Sequence, residues 1–223
     1  MIISHKHKFV FLKTRKTAGS TLEKLLFPYL GPKDVCTGSP RDDTPRINTS
    51  LEDGHVSWDE IQSLYPNEFR DYFKFTIERN PWDKVVSAYY WHKIAKKNLF
   101  GSMSFEEYVT TRDAVFVLIP SIDPDQDNLF LGFKERLPTD WLRYADRQDV
   151  NQMNIVYKYE EMDTMYEDLN QRFGLDIKNW KNTRLKSDTR KILDYRKLYT
   201  NVTIDVVAET FAKEIKTFGY TYE

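Results

Sequence analysis

Two short apolar runs, each ending in a polar turn that opens a helical pattern, constrain this chain most. Phe9-Val10-Phe11-Leu12 leads into Lys13-Thr14-Arg15-Lys16-Thr17-Ala18-Gly19-Ser20-Thr21, and Thr21 to Phe27 then carries apolar residues at helical spacing. Phe73-Lys74-Phe75-Thr76-Ile77 alternates like a strand and leads into Arg79-Asn80-Pro81-Trp82-Asp83. Asn80 suits an N-cap, Pro81 the first helical position and Asp83 the first turn, which predicts a helix from Pro81 to Lys97. A third strand is expected at Asn154-Ile155-Val156-Tyr157, before a helix over Met162–Phe173 closed by Gly174. Strands alternating with helices argue for an α/β fold with a central parallel sheet flanked by helices.

Further helices are expected at Trp58–Phe69, Ser104–Thr111, Lys191–Tyr199 and Thr203–Phe218, the last closed by Gly219. Residues 33–54 read as a long loop, and residues 113–150, broken by Pro120, Pro124, Gly132 and Pro138, carry no clear period. With 223 residues and no evident linker, a single domain over residues 1–223 is expected.

Net charge is -1, which gives no global field for nucleic acid. Yet Lys6, Lys8, Lys13, Arg15, Lys16 and Lys24 face only Glu23 in the first 24 residues, as suits a local anion site. Aromatic content of 15% suits either a core of Phe and Tyr or stacking surfaces for a ligand. The lone Cys36 has no disulfide partner, and no Cys/His cluster has zinc spacing, so no metal is expected. The apolar part of the first residues is too short for a signal peptide, and no run approaches the ~20 apolar residues of a membrane span. A soluble, cytoplasmic protein is the expectation.

A helix N-terminus holds anions through unpaired N–H groups and its partial positive charge. In the first turn Gly19 admits close backbone approach, Thr17, Ser20 and Thr21 offer hydroxyls, and Lys16 a point charge. Walker A spacing is absent, because the lysine precedes the glycine. By itself the pattern fits either a phosphate site or an ordinary strand–helix turn. In the second turn Arg79 suits a bidentate grip on phosphate. The alternative is a surface pair with Asp83 or Glu78 above a plain helix cap.

Together, Lys-Thr-x-Gly-Ser/Thr after one strand and Arg-Asn-Pro-x-Asp-x-x-x-Ser, ending at Ser87, after another resemble the paired signatures of PAPS-dependent sulfotransferases. The flavour is that of the carbohydrate enzymes. Gly54-His55-Val56-Ser57, Lys158-Tyr159-Glu160 and the closing segment Tyr195 to Tyr220 extend the resemblance over most of the chain. It implies a P-loop-like three-layer fold. It also implies that Lys16, Thr17, Gly19, Ser20 and Thr21 hold the 5′-phosphosulfate of PAPS, and that Arg79 and Ser87 hold the 3′-phosphate. His55 falls where the family often places its general base, a role suited to an imidazole. Arg184 and Lys186, with Ser187 and Arg190, match a basic segment that closes over the nucleotide, or else form a solvated loop. Arg15 stands where proline is common, either adding charge to the site or pointing to solvent.

The implied reaction is transfer of a sulfuryl group to a hydroxyl of a glycan or small metabolite, leaving PAP. Lys16 and the first-turn amides would stabilise developing charge. Asp125-Gln126 is a hint of the acceptor site, and Tyr89, Tyr90 and Trp91 are either its lining or packing. His92 is expected to be structural, and His5 and His7 solvated. The rival readings are a kinase-like P-loop enzyme using ATP and Mg²⁺, and a non-catalytic module for a sulfated or phosphorylated ligand.

Overall fold

The computed structural model describes residues 1–38, 43–51, 54–111, 137–178, 180–183, 190 and 192–223. In chain order the strands are β1 (Ile2–Ser4), β2 (Phe9–Phe11), β3 (Val35–Cys36), β4 (Phe73–Glu78) and β5 (Ile155–Lys158). The α-helices are α1 (Gly19–Leu26), α2 (Trp58–Leu64), α3 (Pro66–Asp71), α4 (Pro81–Ala95), α5 (Lys97–Phe100), α6 (Phe105–Thr110), α7 (Trp141–Tyr144), α8 (Met162–Phe173), α9 (Asn201–Thr210) and α10 (Ala212–Phe218). They fall into two compact units, Met1–Arg79 with Asp140–Lys186, and Asn80–Thr139 with Ser187–Glu223.

The first unit holds one five-stranded sheet in the order β3-β1-β2-β4-β5. β2 pairs in parallel with β4 and β4 with β5, joining the three strands expected from sequence. The sheet is nevertheless mixed rather than parallel throughout, because β1 runs antiparallel to both β2 and β3. Neither β1 nor β3 was expected. β1 lies in the opening residues and β3 inside the segment taken as loop.

Every residue of β2 is buried, as its unbroken apolar run requires of a strand covered on both faces. Phe9, Phe11, Phe75 and Ile77 pack with Leu22 and Leu26 of α1 and with Met162, Met165 and Leu169 of α8. The Phe11 and Phe75 rings sit 5.2 Å apart, and Phe9 lies 5.0 Å from Phe173. Much of the aromatic excess is therefore core.

The second unit packs α4, α6 and α9 around Trp82, Tyr89, Phe105, Tyr108, Val207 and Phe211. Asn80 caps α4 as expected, accepting the Trp82 N–H at 3.1 Å. The Tyr89 ring meets Tyr90, Phe105 and Tyr108 edge-on and its hydroxyl donates to the Met103 carbonyl, so it serves packing. His92 lies against the Tyr108 hydroxyl at 2.7 Å, the structural role expected.

Two expected helices are each split. Pro66 cannot continue α2, so Tyr65 leaves helical geometry and Pro66 starts α3. The buried Phe211 (φ −108°) divides the C-terminal helix into α9 and α10. Of the helix expected at Lys191–Tyr199, the described part is a 3₁₀ turn, Tyr195–Leu198, capped by the Asp194 carboxylate. Gly174 and Gly219 close α8 and α10 in left-handed conformation, as expected.

Candidate active site

The site is built on the loop between β2 and α1. Its entry is tied to β4: Leu12 N–H donates to Phe75 O at 3.0 Å, Thr76 Oγ1 to Leu12 O at 2.7 Å, and the Thr14 hydroxyl to the Ile77 carbonyl. Thr17 is fully buried, with its hydroxyl 2.9 Å from that of Thr14 and donating to Thr14 O at 3.2 Å. That hydroxyl, expected from sequence to meet an anion, is instead part of the loop's inner bracing, which leaves Thr17 its backbone amide to offer.

Beyond Thr14 the backbone takes a rare form. Lys16 (φ 62°) and Ala18 (φ 63°) are both left-handed. Each costs a non-glycine residue roughly 1–2 kcal/mol. Alternation of this kind turns successive N–H groups towards one side, the geometry of an anion-binding nest. The helix follows at once. Its first ladder bond is Leu22 N–H to Ala18 O at 3.1 Å, so the amides of Gly19, Ser20 and Thr21 precede the ladder. Nest and helix N-terminus thus adjoin, a chemistry suited to phosphate or sulfate.

Gly19 is also required by the packing of the loop. A Cβ there would lie 2.6 Å from Lys13 Cγ, because the Lys13 stem crosses the glycine on its way inward. Lys13 Nζ reaches Glu23 Oε2 at 2.5 Å, and the Met1 amino group meets the other oxygen at 2.6 Å. Burial raises the Glu23 carboxyl, but those two cations outweigh it and hold it below the ordinary range. Lys13 is therefore committed to the core of the unit. Lys16 is half-buried at the left-handed turn.

His55 is brought to the same loop, its Nδ1 3.1 Å from the Lys13 carbonyl oxygen. A carbonyl only accepts, so Nδ1 carries the hydrogen and the lone pair of the neutral ring is on Nε2. Arg79, 7% exposed, donates from Nη1 to Lys16 O at 2.9 Å, and its guanidinium sits 4.0 Å from the centroid of the Tyr159 ring. In the second unit the Asp83 carboxylate meets Arg190 at 2.5 Å. Arg190 also donates to the carbonyls of Ile192 and Leu193, which fixes it as a local brace. Glu78 is buried and accepts the Arg79 N–H and the Tyr144 hydroxyl.

Ser87 lies half-buried on α4, in the second unit. Arg184, Lys186, Ser187 and Asp125-Gln126 lie outside the described residues. His5 and His7, expected to be solvated, are partly buried; His5 meets the Tyr72 hydroxyl, and His7 faces the carbonyls of Tyr29 and Phe173.

Sequence reasoning missed Asp140. This fully buried carboxylate accepts the Arg15 backbone N–H at 2.8 Å, Arg15 Nε at 2.9 Å and Arg143 Nε at 3.1 Å. Arg15 thus does not simply point to solvent. The one signal available was an Asp three residues ahead of an Arg, too common to single out.

Among the described residues no group of three or more His, Cys, Asp or Glu could hold a metal ion, and no helix is long and apolar enough to cross a membrane. The model of the sulfotransferase family matches residues 1–221, across both units. The chain belongs to that family, whose common chemistry is sulfuryl transfer. No curated protein and no solved structure matched it.

Proposed function

We propose that this protein is a PAPS-dependent sulfotransferase acting on a hydroxyl of a glycan or small metabolite, with His55 as general base. The observation that carries this reading is the nest at Lys16 and Ala18, running into the N-terminus of α1 beside an imidazole of fixed tautomer. The donor set suits a phosphosulfate: backbone amides, the Lys16 ammonium, and the hydroxyls of Ser20 and Thr21. Arg79, with Ser87 of the same motif, is assigned to the 3′-phosphate.

The donor supplies a sulfuryl group, whose bond to the bridging phosphate oxygen breaks as the acceptor oxygen bonds to sulfur, PAP leaving with the electron pair. His55 Nε2 takes the acceptor's hydroxyl proton. Its Nδ1–H, held on the Lys13 carbonyl, steadies the imidazolium that results. Lys16 and the amides of residues 17–21 stabilise the charge that grows on the departing phosphate. These fixed donors do electrostatic work that Mg²⁺ does in many kinases.

The test is PAP release from PAPS, with water or a panel of hydroxyl compounds as acceptor, alongside calorimetry with PAP. His55→Ala should lose release by a factor of about 100 or more and bind PAP within about twofold of wild type. Parallel loss of binding would overturn the base assignment. Absence of both release and PAP binding in the wild type would overturn the function.

A further inference from the structure

We propose that Asp140 is a positioning residue that sets the anion loop and His55 in register from one buried carboxylate. The inference rests on the reading of His55 as base and of Lys16 to Thr21 as the anion site.

The geometry is a closed circuit of hydrogen bonds within the first unit. Asp140 Oδ2 holds the Arg15 N–H at 2.8 Å, immediately before the left-handed Lys16. Asp140 Oδ1 holds Arg143 Nε at 3.1 Å, and Arg143 Nη1 donates to the His55 carbonyl. The His55 ring then returns to the loop through Nδ1 and the Lys13 carbonyl, 3.1 Å apart. Lys13 and Arg15 stand two residues apart, so the ring closes on itself. One side of it fixes the backbone that aims the nest, and the other fixes the backbone that carries the base.

The chemistry of the corner supports a positioning role. A carboxylate with no exposed surface is costly unless paired, and here two guanidiniums meet it. Strain at Lys16 persists only where surrounding groups over-determine it. The Lys16 backbone is held from both sides, by Arg79 on its carbonyl and by Asp140 on the preceding amide. Errors of about 1 Å between base and donor cost catalysis heavily, which gives such a brace its value.

The experiment uses the full chain, PAP as the probe, and ¹⁵N NMR of the imidazoles, His55 being assigned by its absence in His55→Ala. Wild type should show His55 as a single Nδ1–H tautomer, with or without PAP. Asp140→Ala should raise the Kd for PAP about tenfold or more and give His55 averaged ring shifts. Asp140→Asn, which keeps an acceptor for the Arg15 N–H, should recover part of the PAP affinity. Should Asp140→Ala not fold, Arg143→Met isolates one arm: it removes the strut to the His55 carbonyl and one of the two guanidiniums on Asp140, leaves both Arg15 bonds to Asp140 in place, and should still average the His55 shifts.

A folded Asp140→Ala with unchanged Kd and unchanged His55 shifts overturns the proposal, as does an Arg143→Met that leaves the His55 spectrum untouched. Failure of the wild type itself to bind PAP overturns the functional reading instead. The tautomer readout needs no nucleotide and distinguishes the two failures.

Discussion

Substituting Gly19 by Ala tests the packing of the anion loop without any ligand. An alanine Cβ would sit 2.6 Å from Lys13 Cγ, where apolar carbons prefer about 3.5–4.0 Å. Lys13 cannot yield easily, since its ammonium is held 2.5 Å from the buried Glu23 carboxylate. Overpacking of this kind costs roughly 1–3 kcal/mol. Relief of glycine's helix penalty returns up to about 1 kcal/mol, because residue 19 opens α1. The net is a loss of about 1–2 kcal/mol, or roughly 2–8 °C in Tm for a chain of this size. If the stem lets go of Glu23, the cost climbs towards the ~3–5 kcal/mol of a broken buried pair. Urea unfolding at neutral pH measures it. In a Lys13→Ala background the clashing atom is gone, so Gly19→Ala should become neutral or slightly stabilising, a coupling of about 1 kcal/mol or more. A Gly19→Ala protein as stable as wild type, with no coupling to residue 13, would refute the crossing of Lys13 over Gly19.

Three more perturbations separate stability from binding. Glu23 has a carboxyl held below its unfolded value, so its contribution is complete above about pH 4.5 and is lost as pH falls through the lower folded value. Glu23→Gln should therefore be less stable at pH 7 and show a flatter acid limb in Tm against pH; an unchanged limb would remove Glu23 from the account. Arg79→Ala should raise the Kd for PAP about ten- to a hundredfold, the size of one charge-assisted contact. Arg79→Lys should not restore it, because a planar group that donates to Lys16 O while lying over the Tyr159 ring is a guanidinium property; calorimetry showing full recovery in the lysine variant would contradict this. Asn80→Ala removes both the cap on Trp82 and a donor to Thr221 O, and should cost about 1–2 kcal/mol in urea unfolding. A change within error would show that α4 does not depend on its cap.

What the sequence disclosed follows the range of the interactions. Local signals carried far: the apolar runs of β2, β4 and β5, the Asn80-Pro81 start of α4, and the glycine closures of α8 and α10. The Pro66 break between α2 and α3 is equally local, a matter of proline's chemistry. Short elements were lost. β1 has three residues and β3 two, too few for any period to show, and only pairing across the sheet defines them.

Within the candidate site the loop and His55 were legible as motifs, but their wiring was not. Nothing local says that Lys13 turns inward to Glu23 while Lys16 stays at the turn. No local pattern says that Gly19 also makes room for a methylene of Lys13. Asp140 lies 125 residues from Arg15 and inside the stretch with the weakest pattern, so its part in the site appears only in three dimensions.

Calorimetric titration with PAP, ADP and ATP, with EDTA and then with Mg²⁺, separates a metal-independent PAP site from a kinase-like one. PAP should bind at micromolar Kd or tighter without metal, and ADP more weakly by about a hundredfold or more for want of the 3′-phosphate. Preference for ATP with Mg²⁺, or no binding of any of the three, would contradict the PAP site.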